Sequence, residues 1–269
     1  MHYVMTQMSM KAGMKHFGER GEKGVSSELK QLHLRETFDP VDPKSLTKEE
    51  YDQTLESHLF LKEKRDLSVK GRLVAGGDKQ RATISKEDAT SPTAALESVL
   101  LTATIDAAKG RDVAIMDIPN AFVQTKLKDK DGKVIMRMRG KLAELMVKTA
   151  PEIYSKYITF NLKGEMVLYV CLLNALYGIM KAALLFYKRF VGDLLSIGFK
   201  LNPYDPCVAN KMVSGNQLTI VWHVDDLKVS HLLAKVVTRM ARWLKKTYEQ
   251  IFEDGSGQMK VSRGKIHSW

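Results

Sequence analysis

A chain of 269 residues is long enough for a substantial core, as one large domain or two small ones. Its 44% hydrophobic and 27% charged residues exclude disordered and collagen-like classes, and no apolar run approaches the ~18 residues of a membrane-spanning helix. The 42 basic against 31 acidic residues give a formal charge of +11, which favours a polyanionic partner or an anionic membrane surface.

In chain order, the start (MHYVMTQMSMKAGMKHFG) has no signal-peptide apolar region. Residues 11–38 read as helical, with Ser26 or Ser27 as the cap of a helix carrying Leu29, Leu32 and Leu34. DPVDPKSL is an extended turn. Thr47 followed by Glu50 has capping-box spacing for the next helix. HLFLKEKRDLSVKGRLVAGG is a hairpin with a basic turn, ended by Gly76 and Gly77. SPTAALESVLLTATIDAAKG is a helix capped by Ser91 or Thr93 and closed by Gly110. DVAIMDI is a short strand stopped by Pro119, and NAFVQTKL begins a further helix. GKVIMRMRG and GEMVLYV read as strands, and KAALLFYKRFVGDLLSIGF as an amphipathic helix with Leu185, Phe186, Phe190, Leu194 and Leu195 on one side. Three strands follow, in PYDPCVANKM, QLTIVWHV and LKVSHLL, then a basic amphipathic helix in AKVVTRMARWLKKTYEQIF. Mixed helices and strands with an antiparallel hairpin imply an α+β fold. Cys171 and Cys207 fit no zinc-ligand spacing and read as reduced packing residues, which suits an intracellular compartment.

The stretch VWHVDDLKVSH sets Asp225 and Asp226 side by side within an apolar, β-prone run. Hairpin turns favour Gly, Asn-Gly or Asp-Gly, so Asp-Asp is a poor choice on turn grounds. Two carboxylates ~4 Å apart repel by about 4 kcal/mol at an effective dielectric of 20, and a divalent cation turns that repulsion into a binding site. Asp117, ending DVAIMD, is the candidate third carboxylate, with Asp112 as an alternative beside Arg111. Alternation puts Asp225 on the face of His223 and Asp226 at or beyond the turn. A polar turn plus a helix cap would account for the same three aspartates.

Five blocks in order resolve that choice: KGRLVAGGDKQR, SPTAALESVLLTATIDA, DVAIMDIPNAF, LLNALYGIMKAALLFYKRFVGDLLSIGF with NPYDPCVANK, and WHVDDLKVSH. Together they resemble the Ty1/copia-type reverse transcriptases of retrotransposons, over roughly residues 11–269. The resemblance implies a right-hand polymerase with an antiparallel palm sheet flanked by helices. It implies an amino-terminal helical extension over 1–40, fingers over 41–110, and a palm with interleaved fingers elements over 111–269. Family members continue through a thumb and an RNase H domain, so the thumb is expected to be absent or incomplete here.

The resemblance also implies roles. Asp117, Asp225 and Asp226 become the catalytic and metal-binding carboxylates for magnesium or manganese, with Asp226 secondary. Lys70 and Arg72 match the basic fingers hairpin that grips the triphosphate; Lys64 and Arg65 lie nearby. Phe122 matches the bulky residue that excludes a ribose 2′-hydroxyl. Main-chain N–H groups from Ile118 to Ala121 are further phosphate donors, less the one that Pro119 lacks. Lys181 stands where many members have glutamine, either replacing a hydrogen bond by a charge contact or marking a decayed copy. His223 stands where many have tyrosine, supporting the primer terminus or the packing of the hairpin. The expected partners are an RNA or DNA template with its primer, and deoxynucleoside triphosphates, with no membrane. The expected setting is intracellular: cytoplasmic in a retroelement particle, or nuclear. Two other classes share part of the pattern: an inactive remnant that still binds nucleic acid, and a metal-dependent phosphodiesterase.

Overall fold

The computed structural model describes residues 7–64, 66–82, 84–128, 132–251 and 257–266. Strands β1 (Met8–Ser9), β2 (Phe38–Val41), β3 (Leu55–Glu63) and β4 (Val69–Ala75) alternate with helices α1 (Met10–Phe17), α2 (Glu19–Leu34), α3 (Lys48–Asp52) and α4 (Lys86–Ala89). Then come α5 (Leu96–Ala108), β5 (Asp112–Asp117), β6 (Ile135–Arg139), α6 (Lys141–Thr149), α7 (Pro151–Tyr154), β7 (Ile158–Phe160) and β8 (Met166–Leu172). The remainder comprises α8 (Ala182–Ser196), β9 (Lys200–Leu201), β10 (Val208–Val213), β11 (Asn216–His223), β12 (Asp226–His231), α9 (Ala234–Tyr248) and β13 (Val261–Lys265). The fold is α+β, as expected. Among the described residues, no helix is long and apolar enough to cross a membrane.

These elements form two compact units, each made of two chain segments: 1–89 with 125–182, and 90–124 with 183–269. In the first unit seven strands run in the order β1-β3-β6-β8-β2, with β4 on β3 and β7 on β8. The expected β3–β4 hairpin forms, pairing Lys62 with Lys70 and Phe60 with Arg72. Its inner face, Leu59, Leu61, Leu73 and Ala75, is buried. Helix α2 approaches so closely that a Cβ on Gly71 would stand 2.6 Å from the Gly24 carbonyl, and one on Gly24 2.7 Å from that of Val69. Glycine at both positions is therefore a packing requirement. Helix α2 starts at Glu19 after Gly18, at φ 55°, and runs through Ser26 and Ser27, so neither serine caps it. Thr47 and Glu50 do form the expected capping box on α3.

The second unit is built on a sheet in the order β13-β5-β12-β11-β10-β9. One face carries Ala114, Met116, Leu227, Val229, Ile220 and Trp222, which join Phe186, Phe190 and Leu194 of α8 and Val237 and Leu244 of α9 in one core. Strand alternation sends Asp117, Asp226 and His223 to the opposite face. There α5 is tied to β12 through fully buried Asp106, whose Oδ2 lies 2.5 Å from Lys228 Nζ. His223, Ile115, Asp117 and Asp226 remain exposed.

Neither Ser91 nor Thr93 caps α5. The carboxylate of Asp205 does so from elsewhere in the chain, accepting from the N–H of Ala95 at 3.0 Å and of Cys207 at 2.8 Å. Burial pushes the Asp205 carboxyl up, but hydrogen bonds from Ser98 and the two amides outweigh it, and the net shift is downward. A depressed acid contributes stability above its unfolded value and loses it as pH falls through the folded value. Asp205→Ala should therefore cost about 1–3 kcal/mol at neutral pH. The deficit against wild type should shrink as pH drops below the ordinary aspartate range, as read from urea unfolding at several pH values.

Candidate functional site

The sequence between Asp117 and Asp226 spans more than a hundred residues, yet the register of β5 and β12 makes the two direct cross-strand partners. Such antiparallel partners stand ~4.5–5.5 Å apart at Cα. Asp226 is also the cross-strand partner of His223, so Asp117, Asp226 and His223 form a row across three strands of one face. This reverses the alternation expected from sequence. The cause is the turn: Val224 and Asp225 occupy it, and β12 restarts at Asp226 with its own alternation. Asp225 sits at the tip, half-buried, its carbonyl accepting from the N–H of Ile118 at 2.9 Å. That bond fixes the tip against the end of β5.

Val224 adopts φ 58°. A β-branched residue there costs about 1–3 kcal/mol and needs a surround that enforces it. Positive φ at the first turn residue is the habit of a II′ turn, where glycine is usual. The strained tip holds Asp225 beside the acid row.

Magnesium and manganese prefer hard oxygen ligands, and three carboxylates supply them without histidine or cysteine. Among the described residues, no three His, Cys, Asp or Glu side chains are already gathered as a metal cage. The fit lies in donor chemistry and backbone register: two carboxylates side by side, a third at the adjoining tip.

Beyond Asp117 the chain turns sharply, with Asn120 at φ 51° and a single 3-10 turn over Phe122–Gln124 in place of the expected longer helix. Pro119 and the used N–H of Ile118 narrow the main-chain phosphate donors to Asn120 and Ala121. Gln124, unremarked in the sequence, secures this loop. Its Nε2 donates to the carbonyls of Pro119 at 3.0 Å and Tyr248 at 2.7 Å. Phe122 is half-buried, edge-on to Phe186 with ring centroids 6.5 Å apart.

In the other unit, Lys70 and Arg72 project from the exposed face of the β3–β4 hairpin, beside a pocket of about 340 Å³ that Phe60, Lys62 and Lys64 also line. Arg65 lies outside the described residues. Lys62 directly opposes Lys70, a like-charge pair, while Glu63 also lines the pocket and Glu28 acts on Lys70 from behind the hairpin. Arg72 lies over the Tyr177 ring at 4.6 Å, and the Tyr177 carbonyl accepts from Ala75 N–H at 2.8 Å. Gly178, at φ 90°, is so tight that a Cβ would stand 1.9 Å from the Ala75 carbonyl. Behind the hairpin, Glu28 of α2 accepts from the Leu73 N–H at 3.0 Å. Burial pushes its carboxyl up, against that bond and the positive charges of Lys70 and Arg72. Lys181 is half-buried just before α8.

Residues 55–253 match the family described as reverse transcriptase (RNA-dependent DNA polymerase). No curated protein sequence gives a significant match. Similar solved structures include apo telomerase from Candida tropicalis, with TM-score 0.44 and 9% identity over 92% of this chain and 48% of that one. Telomerase from Candida tropicalis with the TWJ fragment of telomeric RNA gives 0.42 and 11%, over 91% and 44%. Telomerase from Candida albicans with that fragment gives 0.36 and 10%, over 88% and 46%. The chain spans about half the length of these structures.

Proposed function

Since this chain belongs to the reverse transcriptase family of Ty1/copia type, we propose that it is the fingers and palm of an RNA-directed DNA polymerase that extends a primer on an RNA or DNA template. The reading is carried by the register of Asp117 against Asp226, with Asp225 at the adjoining tip. On this reading the second unit is the palm and the first unit the fingers. Asp117, Asp225 and Asp226 hold magnesium or manganese. When bound, two such ions make the primer 3′-hydroxyl more acidic and offset charge on the leaving pyrophosphate. The Ile118 N–H bond to the Asp225 carbonyl keeps the tip in place. Lys70 and Arg72 bind triphosphate oxygens, Arg72 in bidentate fashion, and Lys62 joins them. The Asn120 and Ala121 N–H groups bind phosphate, and Lys181 contacts the nucleotide through its charge. The basic excess neutralises template and primer phosphates and makes binding salt-sensitive.

The test is primer extension on an RNA template with magnesium or manganese. Extension by wild type, lost in Asp225→Asn, is the expected result. Failure of both proteins with salt-dependent RNA binding intact would make the chain an inactive remnant. Nucleotide release without added triphosphates would make it a phosphodiesterase.

Phe122 serves on this reading as the sugar gate. Phe122→Ala should raise ribonucleotide incorporation relative to deoxyribonucleotide by roughly tenfold or more. Single-nucleotide kinetics with matched sugars give the ratio; an active variant with unchanged sugar preference rejects the role.

A further inference from the structure

Helix α9 has a cationic face that the acid site does not use. Its apolar side, including Val237, Met240 and Leu244, is spent on the core against β5 and β12. Its exposed side carries Lys235, Arg239, Arg242 and Lys246. Steps of four, three and four residues put these cations in one row along one helix face. The row extends about 16 Å at 1.5 Å per residue. From Ala234 to Tyr248 the helix contains no Asp or Glu. Neighbouring cations at these spacings repel within the helix, a small cost that a bound polyanion would remove. Lys245 stands apart from the row, 4.0 Å from Glu249. At the start of the helix Arg263 of β13 donates to Thr238 Oγ1 at 2.6 Å and is ion-paired with Asp112.

The row cannot serve the acid site directly. Helix α9 packs on the face of the sheet that carries Met116, Leu227 and Trp222, whereas Asp117 and Asp226 project from the opposite face. The sheet stands between them. A basic amphipathic helix ordinarily suggests a membrane surface or a helix-binding groove, and both need its apolar side free. Here that side is buried, which leaves charge as the means of recognition. Trp243, four residues after Arg239 and three before Lys246, packs against the core and is half-buried, so only part of its ring borders the row. Cations with an adjoining ring suit single-stranded nucleic acid.

We propose that the outer face of α9 is a second polyanion-binding surface, on the back of the acid-bearing sheet, and that its ligand is single-stranded RNA. The choice of RNA rests on the polymerase reading, since a template longer than the acid site has strand to spare for a second contact. Holding one strand at two places raises overall affinity through effective concentration.

The test replaces the four cations by glutamine, a good helix former: Lys235→Gln, Arg239→Gln, Arg242→Gln and Lys246→Gln. Circular dichroism and the urea midpoint establish that the variant folds, and a double variant, Arg239→Gln with Arg242→Gln, gives an intermediate point. Probes are a 40-nucleotide oligouridylate and a short blunt primer–template duplex, titrated by anisotropy at several salt concentrations. Four lost contacts at ~0.7 each should cut the salt slope for the oligouridylate by about 3. The double variant should lose about half of that, and the duplex slope should not change. An unchanged slope for the oligouridylate in the folded variant overturns the proposal. So does an equal loss on the blunt duplex, which would place the row within the primary site. Phosphatidylserine vesicles, titrated in a co-sedimentation assay, are the third probe; a loss confined to them also overturns the proposal, in favour of a lipid surface. Failure of the polymerase reading appears separately, as absence of primer extension by wild type.

Discussion

Asp225→Asn is expected to lower primer extension by at least a thousandfold, about 4 kcal/mol in barrier, while the protein stays folded. The tip is held through main-chain atoms, the Ile118 N–H on the Asp225 carbonyl, and this bond survives the substitution. The side chain keeps its shape and loses its charge. Added manganese should stabilise wild type more than the variant, because a ligand that binds the native state adds stability by mass action. Extension assays paired with thermal melts, with and without manganese, read both effects. Wild-type extension by a correctly folded Asp225→Asn protein would remove Asp225 from the chemistry.

Asp106→Ala should give the largest loss of stability, about 3–5 kcal/mol, because it strands buried Arg111 and largely covered Lys228. Asp106 is fully buried, and Arg111 is nearly so. Lys228 Nζ lies 2.5 Å from one carboxylate oxygen and Arg111 Nη1 3.5 Å from the other, with Arg111 also 3.4 Å from Thr219 Oγ1. Burial already holds the Lys228 ammonium below the ordinary lysine value, and Asp106 is what pulls it back up. Without Asp106 the folded-state value falls further. A base depressed by folding sheds its proton more readily in the native state, so stability rises with pH between the folded and unfolded values. The deficit of Asp106→Ala should therefore narrow as pH climbs toward the ordinary lysine range. Adding Lys228→Met should recover a large part of it at neutral pH. Urea unfolding of the single and double variants across pH provides the measurement; equal stability of Asp106→Ala and wild type would show that the cluster contributes nothing.

What could be read from the sequence follows from the range of the forces involved. Local signals were enough for the Thr47–Glu50 capping box, the β3–β4 hairpin, and the periodic helices α8 and α9. No local signal marks helix α6, although its residues Leu142, Leu145 and Met146 are buried. It follows Gly140 directly after the arginine-rich strand β6, where no polar cap marks a start. Pro40 gives strand β2 the look of a turn; it forms at the end of its sheet path, pairing with β8. The cap of α5 could not be found locally, since Asp205 lies 110 residues from Ala95. At the candidate site, the sequence setting singles out the three acids but does not show which of them faces His223. That depends on how many residues the turn consumes, and the strain at Val224 hides it from any pattern of alternation.

Strand β5 enters the chain early but finds both its neighbours late: β12 begins at Asp226 and β13 ends at Lys265. During synthesis on the ribosome, Val113, Ala114 and Met116 must wait for more than a hundred residues with neither edge hydrogen-bonded. Such a nascent strand is exposed to mispairing and aggregation until its partners emerge. A stall or truncation upstream of Asp226 would release a chain whose acid-bearing strand has no sheet to join, so the yield of native protein should depend on helper proteins that shelter this segment during translation.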